Sequence, residues 1–188
     1  GVVDDPDHQD QHPEYFRPDD EGHIAFYGAS GSGKSTALRS LAIAAAITPR
    51  SGPVDVYALD AAGGGLAMLE SLPHVGAVVE ADDDERVTRL LRYLTDLIDA
   101  RSERYAAARA ATITDYRRIS GNQEEPRILL LVDGIGSFRT EYEKNSDGLA
   151  VLDVHGGQQL QCFHDANPTV KPACGTESHQ QGLKRGRS

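Results

Sequence analysis

Gly28-Ala29-Ser30-Gly31-Ser32-Gly33-Lys34-Ser35, with Thr36 behind it, follows directly on the short apolar run His23-Ile24-Ala25-Phe26-Tyr27. The order is strand, glycine-rich loop, helix, and the spacing is GxxxxGK[ST]. Each position has a physical job. Glycines let the backbone close around phosphates at dihedral angles that a Cβ resists. The loop amides and the first turn of the following helix aim positive ends at an anion. Lys34 can reach the terminal phosphates of a nucleotide, and Ser35 offers a hydroxyl to Mg²⁺. Residues Gly28, Ala29, Ser30, Gly31, Ser32, Gly33, Lys34, Ser35 and Thr36 are therefore the candidate nucleotide-binding set, with Lys34 also a candidate catalytic residue.

Outward from the loop, the apolar spacing sets the fold class. Leu38, Leu41, Ala42, Ala45 and Ala46 share one face of a helix expected over 34–47. Residues Val54 to Leu59 read as a second strand finishing at Asp60. Gly63-Gly64-Gly65 is a sharp turn before a short helix around 66–72, and Val75 to Val79 is a third strand ending at Glu80. Asp82-Asp83-Asp84-Glu85 opens a long helix to about Ala110, with Val87, Leu90, Leu91, Leu94, Leu97, Ile98 and Tyr105 on one face. Four acids there favour the helix dipole, and a cation site is the sharper alternative. A shorter helix is expected over 113–119. The continuous run Ile128-Leu129-Leu130-Leu131-Val132, closed by Asp133, suits a strand buried on both faces of a parallel sheet. Strands alternating with helices predict an α/β fold with a mainly parallel sheet flanked by helices.

Asp133 is the natural partner of the phosphate loop, because a carboxylate at a strand end can hold Mg²⁺ opposite Ser35. It is the second candidate catalytic residue and, with Ser35, the candidate metal pair. The residue after it is Gly134, where many ATP-driven motors place a glutamate to orient the attacking water. Asp60, Glu80, Glu141 and Glu143 are the alternative carboxylates. Tight nucleotide binding with slow or no hydrolysis is the plainer expectation. If the water-orienting group alone is missing, Gly134→Glu is expected to raise turnover; no gain with ATP still bound would mean that an arginine in trans or a lost strand limits the rate.

The 188 residues carry a formal net charge of −10. A chain without a basic stripe is a poor grip on DNA, whose phosphates supply most non-specific affinity. No apolar run approaches the ~18 residues that a membrane-spanning helix needs. The N-terminus, Gly1-Val2-Val3-Asp4-Asp5-Pro6, lacks the pattern of a signal peptide, and the missing initiator Met suggests a fragment. Residues 1–22 read as an extended lead-in, 23–154 as the nucleotide-binding core and 155–188 as a low-order tail with no apolar window long enough for a core strand. His8 and His12 in the lead-in, and Cys162, His164, Cys174 and His179 in the tail, are possible metal ligands whose spacing fits no compact site. Solvated loop is the simpler reading of both.

Several segments together carry a family resemblance. They are Val3-Asp4-Asp5-Pro6, the loop GASGSGKST, Leu59-Asp60 with Gly63-Gly64-Gly65-Leu66, the run Leu72-Pro73-His74-Val75-Gly76-Ala77-Val78-Val79, the Asp-rich helix start and LLLVDGIGSF. This set resembles an FtsK/SpoIIIE-type ATPase domain, and more narrowly the tandem ATPase domains of EccC, the motor of bacterial type VII (ESX) secretion. The resemblance implies a RecA-like P-loop NTPase that uses ATP and Mg²⁺. It implies partner ATPase domains in a hexameric assembly at the cytoplasmic face of the membrane, and export of small helical WXG100-type proteins. Membrane attachment would come only through the rest of a full-length chain. Loss of the glutamate at Gly134 resembles a downstream, second tandem domain. A DNA translocase of the FtsK type, and a nucleotide-binding module with a purely structural role, are the alternatives.

The family resemblance also implies an arginine supplied by a neighbouring subunit. Arg101, Arg104, Arg117, Arg118 and Arg139 are the candidates, with the first two otherwise read as the solvated end of the long helix. The likeness is expected to stop near Val154. A truncated or frameshifted continuation would leave the sheet incomplete on its C-terminal side, with a raw edge.

Overall fold

The computed structural model of the chain describes residues 2–13, 15–47, 52–142 and 160–164. The lead-in is more ordered than an extended arm. Strands β1 (Val2–Asp5) and β2 (Asp10–Pro13) pair antiparallel around a turn. His8 Nδ1 lies 2.8 Å from Asp5 Oδ2, and His12 Nδ1 lies 3.7 Å from Asp10 Oδ2. A short helix, α1 (Pro18–Glu21), then leads to β3 (Ile24–Ala25), a strand of two residues where five are expected.

Helix α2 (Lys34–Ile47) has the predicted bounds. Strand β4 (Val54–Asp60), a 3₁₀ turn (Ala67–Ser71) and strand β5 (Val75–Glu80) follow. Helix α3 (Asp84–Ala108) starts where the Asp83 carboxylate accepts the Arg86 amide at 3.0 Å, so the acid run supplies the cap. It stops at Arg109, whose φ of 55° is left-handed. Helix α4 (Ile113–Ser120) is capped by Thr112 and ended by Gly121. Strand β6 (Arg127–Asp133) is the last of the predicted elements, and helix α5 (Ile135–Tyr142), which the sequence does not predict, follows it.

Besides the hairpin of the lead-in, a strand of the main sheet was not foreseen. β7 (Leu160–His164) lies in the stretch expected to hold no core strand, and it pairs parallel with both β3 and β6. The sheet order is β3-β7-β6-β4-β5, with every pairing parallel. β7 therefore joins the phosphate-loop strand to the rest of the sheet, which extends beyond residue 154. Its five residues are paired on both sides, to β3 through Phe163 and His164 and to β6 through Leu160 to Phe163. The remainder of the expected tail, with Cys174 and His179, lies outside the described residues.

The pleat divides β6 between two cores. Ile128, Leu130 and Val132 face Val87, Leu90, Leu91, Leu94 and Ile98 of α3, whereas Leu129 and Leu131 face Leu38 and Ala42 of α2. All seven residues of β6 are buried, as a sheet covered on both faces requires. The carboxyl ends of β4, β5 and β6 are level, with Asp60 opposite Glu80 on one side and Asp133 on the other. In doubly wound sheets, this is the edge where ligands bind.

Candidate functional site

The loop between β3 and α2 is shaped by its glycines. A Cβ on Gly28 would lie 2.5 Å from Ser32 Oγ and 3.1 Å from its Cβ, so a larger residue there would force the Ser32 side chain to move. Gly33 has a φ of +93°, left-handed backbone that side chains with a Cβ avoid. The Ser32 amide donates to the Ala29 carbonyl at 3.1 Å. Lys34 Nζ donates to the Gly28 and Ala29 carbonyls at 3.0 and 3.1 Å, which holds the ammonium over the loop. Thr36 faces elsewhere, because its hydroxyl accepts from Arg39 Nη2 at 2.9 Å.

The predicted metal pair is brought together. Asp133 ends β6 with 1% of its surface exposed, and its Oδ2 has no hydrogen-bond partner among the described residues. Both it and Ser35 border the same small space beside Gly65. A Cβ built there would stand 3.3 Å from Asp133 Oδ2 and 3.5 Å from Ser35 Oγ. A buried carboxylate oxygen without a donor is costly unless a cation or proton compensates it. Carboxylate and hydroxyl oxygens form a hard donor set, of the kind that suits Mg²⁺.

Asp60 does different work. Its Oδ1 accepts the amides of Ala62 and Gly64 at 3.0 and 3.2 Å, and its Oδ2 accepts Leu66 at 2.7 Å. The carboxylate is spent on folding the 61–66 turn and is unsuited to orienting a water. Glu80 is exposed on edge strand β5, with β4 between it and Asp133. That places it about 10 Å from Asp133 across the sheet. Glu143 and the side chain of Glu141 lie outside the described residues.

Gly134 is more than a missing acid. Its φ is +76°, and a Cβ would stand 2.8 Å from the carbonyl carbon of Ala61 and 2.9 Å from its oxygen. A hydrogen bond from the Ala61 amide to the Asp133 carbonyl, 2.8 Å, fixes that approach. Gly134→Glu would therefore strain the chain exit beside Asp133 instead of restoring a catalytic group, and the expected gain in turnover is withdrawn.

A match to the FtsK/SpoIIIE family covers residues 3–166. The chain belongs to the FtsK/SpoIIIE family. The matched span runs through β7 and past Val154, where the likeness was expected to end. Family membership implies nucleotide binding with a divalent metal. The ESX-1 secretion system protein EccCb1 of Mycolicibacterium smegmatis is 34% identical over 142 residues, 72% of this chain and 24% of that protein. The ESX-4 secretion system protein EccC4 of Mycobacterium tuberculosis is 34% identical over 138 residues, 72% of this chain and 11% of that protein. This FtsK/SpoIIIE domain thus spans a quarter or less of these curated relatives.

The cytoplasmic domain of the Thermomonospora curvata type VII secretion ATPase EccC superposes with a TM-score of 0.76 at 30% identity. The match covers 89% of this chain and 20% of that one. ATPases 2 and 3 of T. curvata EccC, in complex with a signal sequence peptide, give 0.72 at 28% identity, covering 88% and 32%. A P-loop ATPase domain of the EccC type is the architecture that the fold and these neighbours share.

The candidate arginines of the FtsK/SpoIIIE domain separate by burial. Arg101 and Arg117 are 6% and 5% exposed, so neither can reach another subunit. Arg101 was read from sequence as a solvated helix end; it is instead folded under α3, donating to the Pro126 carbonyl at 2.6 Å. Arg104 binds Glu125 through both terminal nitrogens. Arg118 pairs with Asp115 on the surface, and Arg139 is exposed on α5.

Proposed function

We propose that this chain is an ATP- and Mg²⁺-binding domain of a type VII protein-secretion ATPase. It works beside other ATPase domains of the same motor at the cytoplasmic face of the membrane. Nucleotide binding there drives or regulates the export of small helical proteins. The observation that carries the reading is Asp133 Oδ2, buried beside Ser35 with no hydrogen-bond partner among the described residues. The loop amides of residues 28–36 and Lys34 hold the phosphates; Ser35 and Asp133 hold Mg²⁺, which neutralises phosphate charge when bound. Lys34 exchanges its two loop carbonyls for phosphate oxygens, an acceptor of opposite charge.

Hydrolysis by the isolated domain is slow or absent. Gly134 leaves no carboxylate after Asp133, and Asp60 is committed to its turn. These features favour a regulatory domain that uses nucleotide to set its shape and its docking to neighbours. If turnover needs an arginine in trans, Arg118, paired with Asp115 on the surface, and Arg139, exposed on α5, are the candidates. Among the described residues no helix is long and apolar enough to cross a membrane, so attachment falls to other parts of the motor. The net charge of −10 weighs against DNA as the cargo.

Calorimetric titration with ATP and Mg²⁺, with phosphate release followed in the same sample, tests the reading. Binding with negligible release is expected. Lys34→Ala should weaken binding by about 10- to 100-fold, the worth of a charge-assisted contact. Unchanged affinity would remove Lys34 from the site.

A further inference from the structure

Three consecutive glycines follow β4, and they are not equivalent. Gly63 and Gly64 have φ of +98° and +85°, so the turn itself requires them. Gly65 is not among the left-handed glycines. What is restricted at Gly65 is space. A Cβ there would meet Asp133 Oδ2 at 3.3 Å, Ser35 Cβ at 3.3 Å and Ser35 Oγ at 3.5 Å. The first two glycines serve the turn, and the third serves the gap between Ser35 and Asp133.

That gap is held from two directions. Asp60 accepts the amides on either side of Gly65, those of Gly64 and Leu66, at 3.2 and 2.7 Å. Arg39 Nη2 binds Thr36 of α2 at 2.9 Å, while its Nη1 reaches the Gly65 carbonyl at 3.5 Å. Gly65 is thereby fixed relative to both α2 and the end of β4.

We infer that Gly65 forms the third side of the divalent-cation position, its missing side chain leaving room for the water that a bound cation carries. The inference rests on Ser35 and Asp133 being the metal pair. Mg²⁺ gives up its hydration reluctantly and keeps several waters when bound. Space beside its protein oxygens therefore matters as much as the oxygens. A methyl group at residue 65 takes that space without touching the phosphate loop's glycines, and Asp60 acts as a positioning residue for it.

The test is ATP affinity by calorimetry, with Mg²⁺ and with EDTA, for the wild-type chain and Gly65→Ala. Wild type should bind more tightly with Mg²⁺. Gly65→Ala should keep its affinity in EDTA and lose about tenfold or more of the gain from Mg²⁺, as when groups around metal ligands are disturbed. A Gly65→Ala variant with the full Mg²⁺ gain overturns the inference, as does an equal loss in both buffers. A wild-type chain that binds ATP with no Mg²⁺ gain defeats the metal role of Ser35 and Asp133 first, and this inference with it. A second measurement needs no variant: on adding Mg²⁺ to the ATP-bound wild type, the Gly65 amide resonance should shift. An unmoved resonance also overturns the inference.

Discussion

Strand β6 begins at Arg127, whose Nη2 lies 2.7 Å from Asp19, and ends at Asp133, whose Oδ2 has no hydrogen-bond partner among the described residues. Around the first of these ends, each buried charged group lies against an opposite charge or a carbonyl, although Arg127 Nη1 has no hydrogen-bond partner of its own among the described residues. Glu125 takes Arg104 at 2.9 and 3.1 Å and has Arg101 Nε 3.0 Å away, and Asp19 also accepts the Thr114 hydroxyl. Arg117 donates to the carbonyls of Glu125 and Pro53, each at 2.9 Å. The pKa values follow these partners. The hydrogen bonds that Arg104 donates to Glu125 raise its pKa, and burial lowers that of Arg117. Around the other end, a carboxylate oxygen faces a hydroxyl and a bare Cα across a small space. Both ends bury charge, so burial alone does not mark a site. The mark is charge whose partner the fold does not supply.

Glu125→Ala tests the matched end and has the largest expected effect. Removing this acceptor leaves Arg101, whose side chain is 7% exposed, buried without its counter-charge. Breaking a buried pair in this way costs about 3–5 kcal/mol, read as a fall in the denaturant midpoint. The ATP affinity of the remaining folded protein should not change. A loss below about 1 kcal/mol would mean that the cluster is solvated like a surface pair and the contrast is false.

Gly134→Glu acts at the other end, and sequence and structure disagree about it. The sequence predicts a gain of turnover. The structure predicts a loss of about 1–3 kcal/mol for a left-handed non-glycine residue, with the Ala61 contact at 2.8 Å added to it. Thermal unfolding and phosphate release decide the matter together. A stable variant with faster release would restore the view that only the carboxylate is missing.

The disagreement over residue 134 has the same origin as the others. α2, β4, α3 and β6 were legible because periodicity and caps are local: an apolar stripe, a run of five aliphatics, an Asp before a helix. The phosphate loop was legible because its spacing is itself the mechanism. β7 was not, because Leu160–His164 is held by strands that begin at residues 24 and 127. Arg101 was not, because its partner, Glu125, arrives only when α3 packs beside the start of β6. Asp60 could be read as an acid at a strand end but not as the acceptor of three amides. Gly65 looked like part of a turn, and only its distance from Ser35 and Asp133 separates it from its two neighbours. Sequence gave the kind of residue at the site, while the division of labour among acids and glycines needed tertiary contacts.

The smallest stability change, and the sharpest test of the comparison, belongs to Asp133→Asn. It deletes a negative charge at one end of the sheet, as Glu125→Ala does at the other, yet the energetic sign should differ. Glu125 compensates arginines; Asp133 compensates nothing that the described residues provide. Replacing it with a neutral amide of the same shape removes an uncompensated buried charge. Without nucleotide or metal, unfolding stability should stay level or rise by up to about 1 kcal/mol. With ATP and Mg²⁺ the order reverses, because the wild type alone gains the extra stabilisation of metal-assisted binding. Paired melts with and without Mg²⁺–ATP therefore give a crossing of the two proteins. A variant destabilised under both conditions would mean that Asp133 is a structural acid like Glu125, and that the two ends of β6 differ only in which contacts hold them.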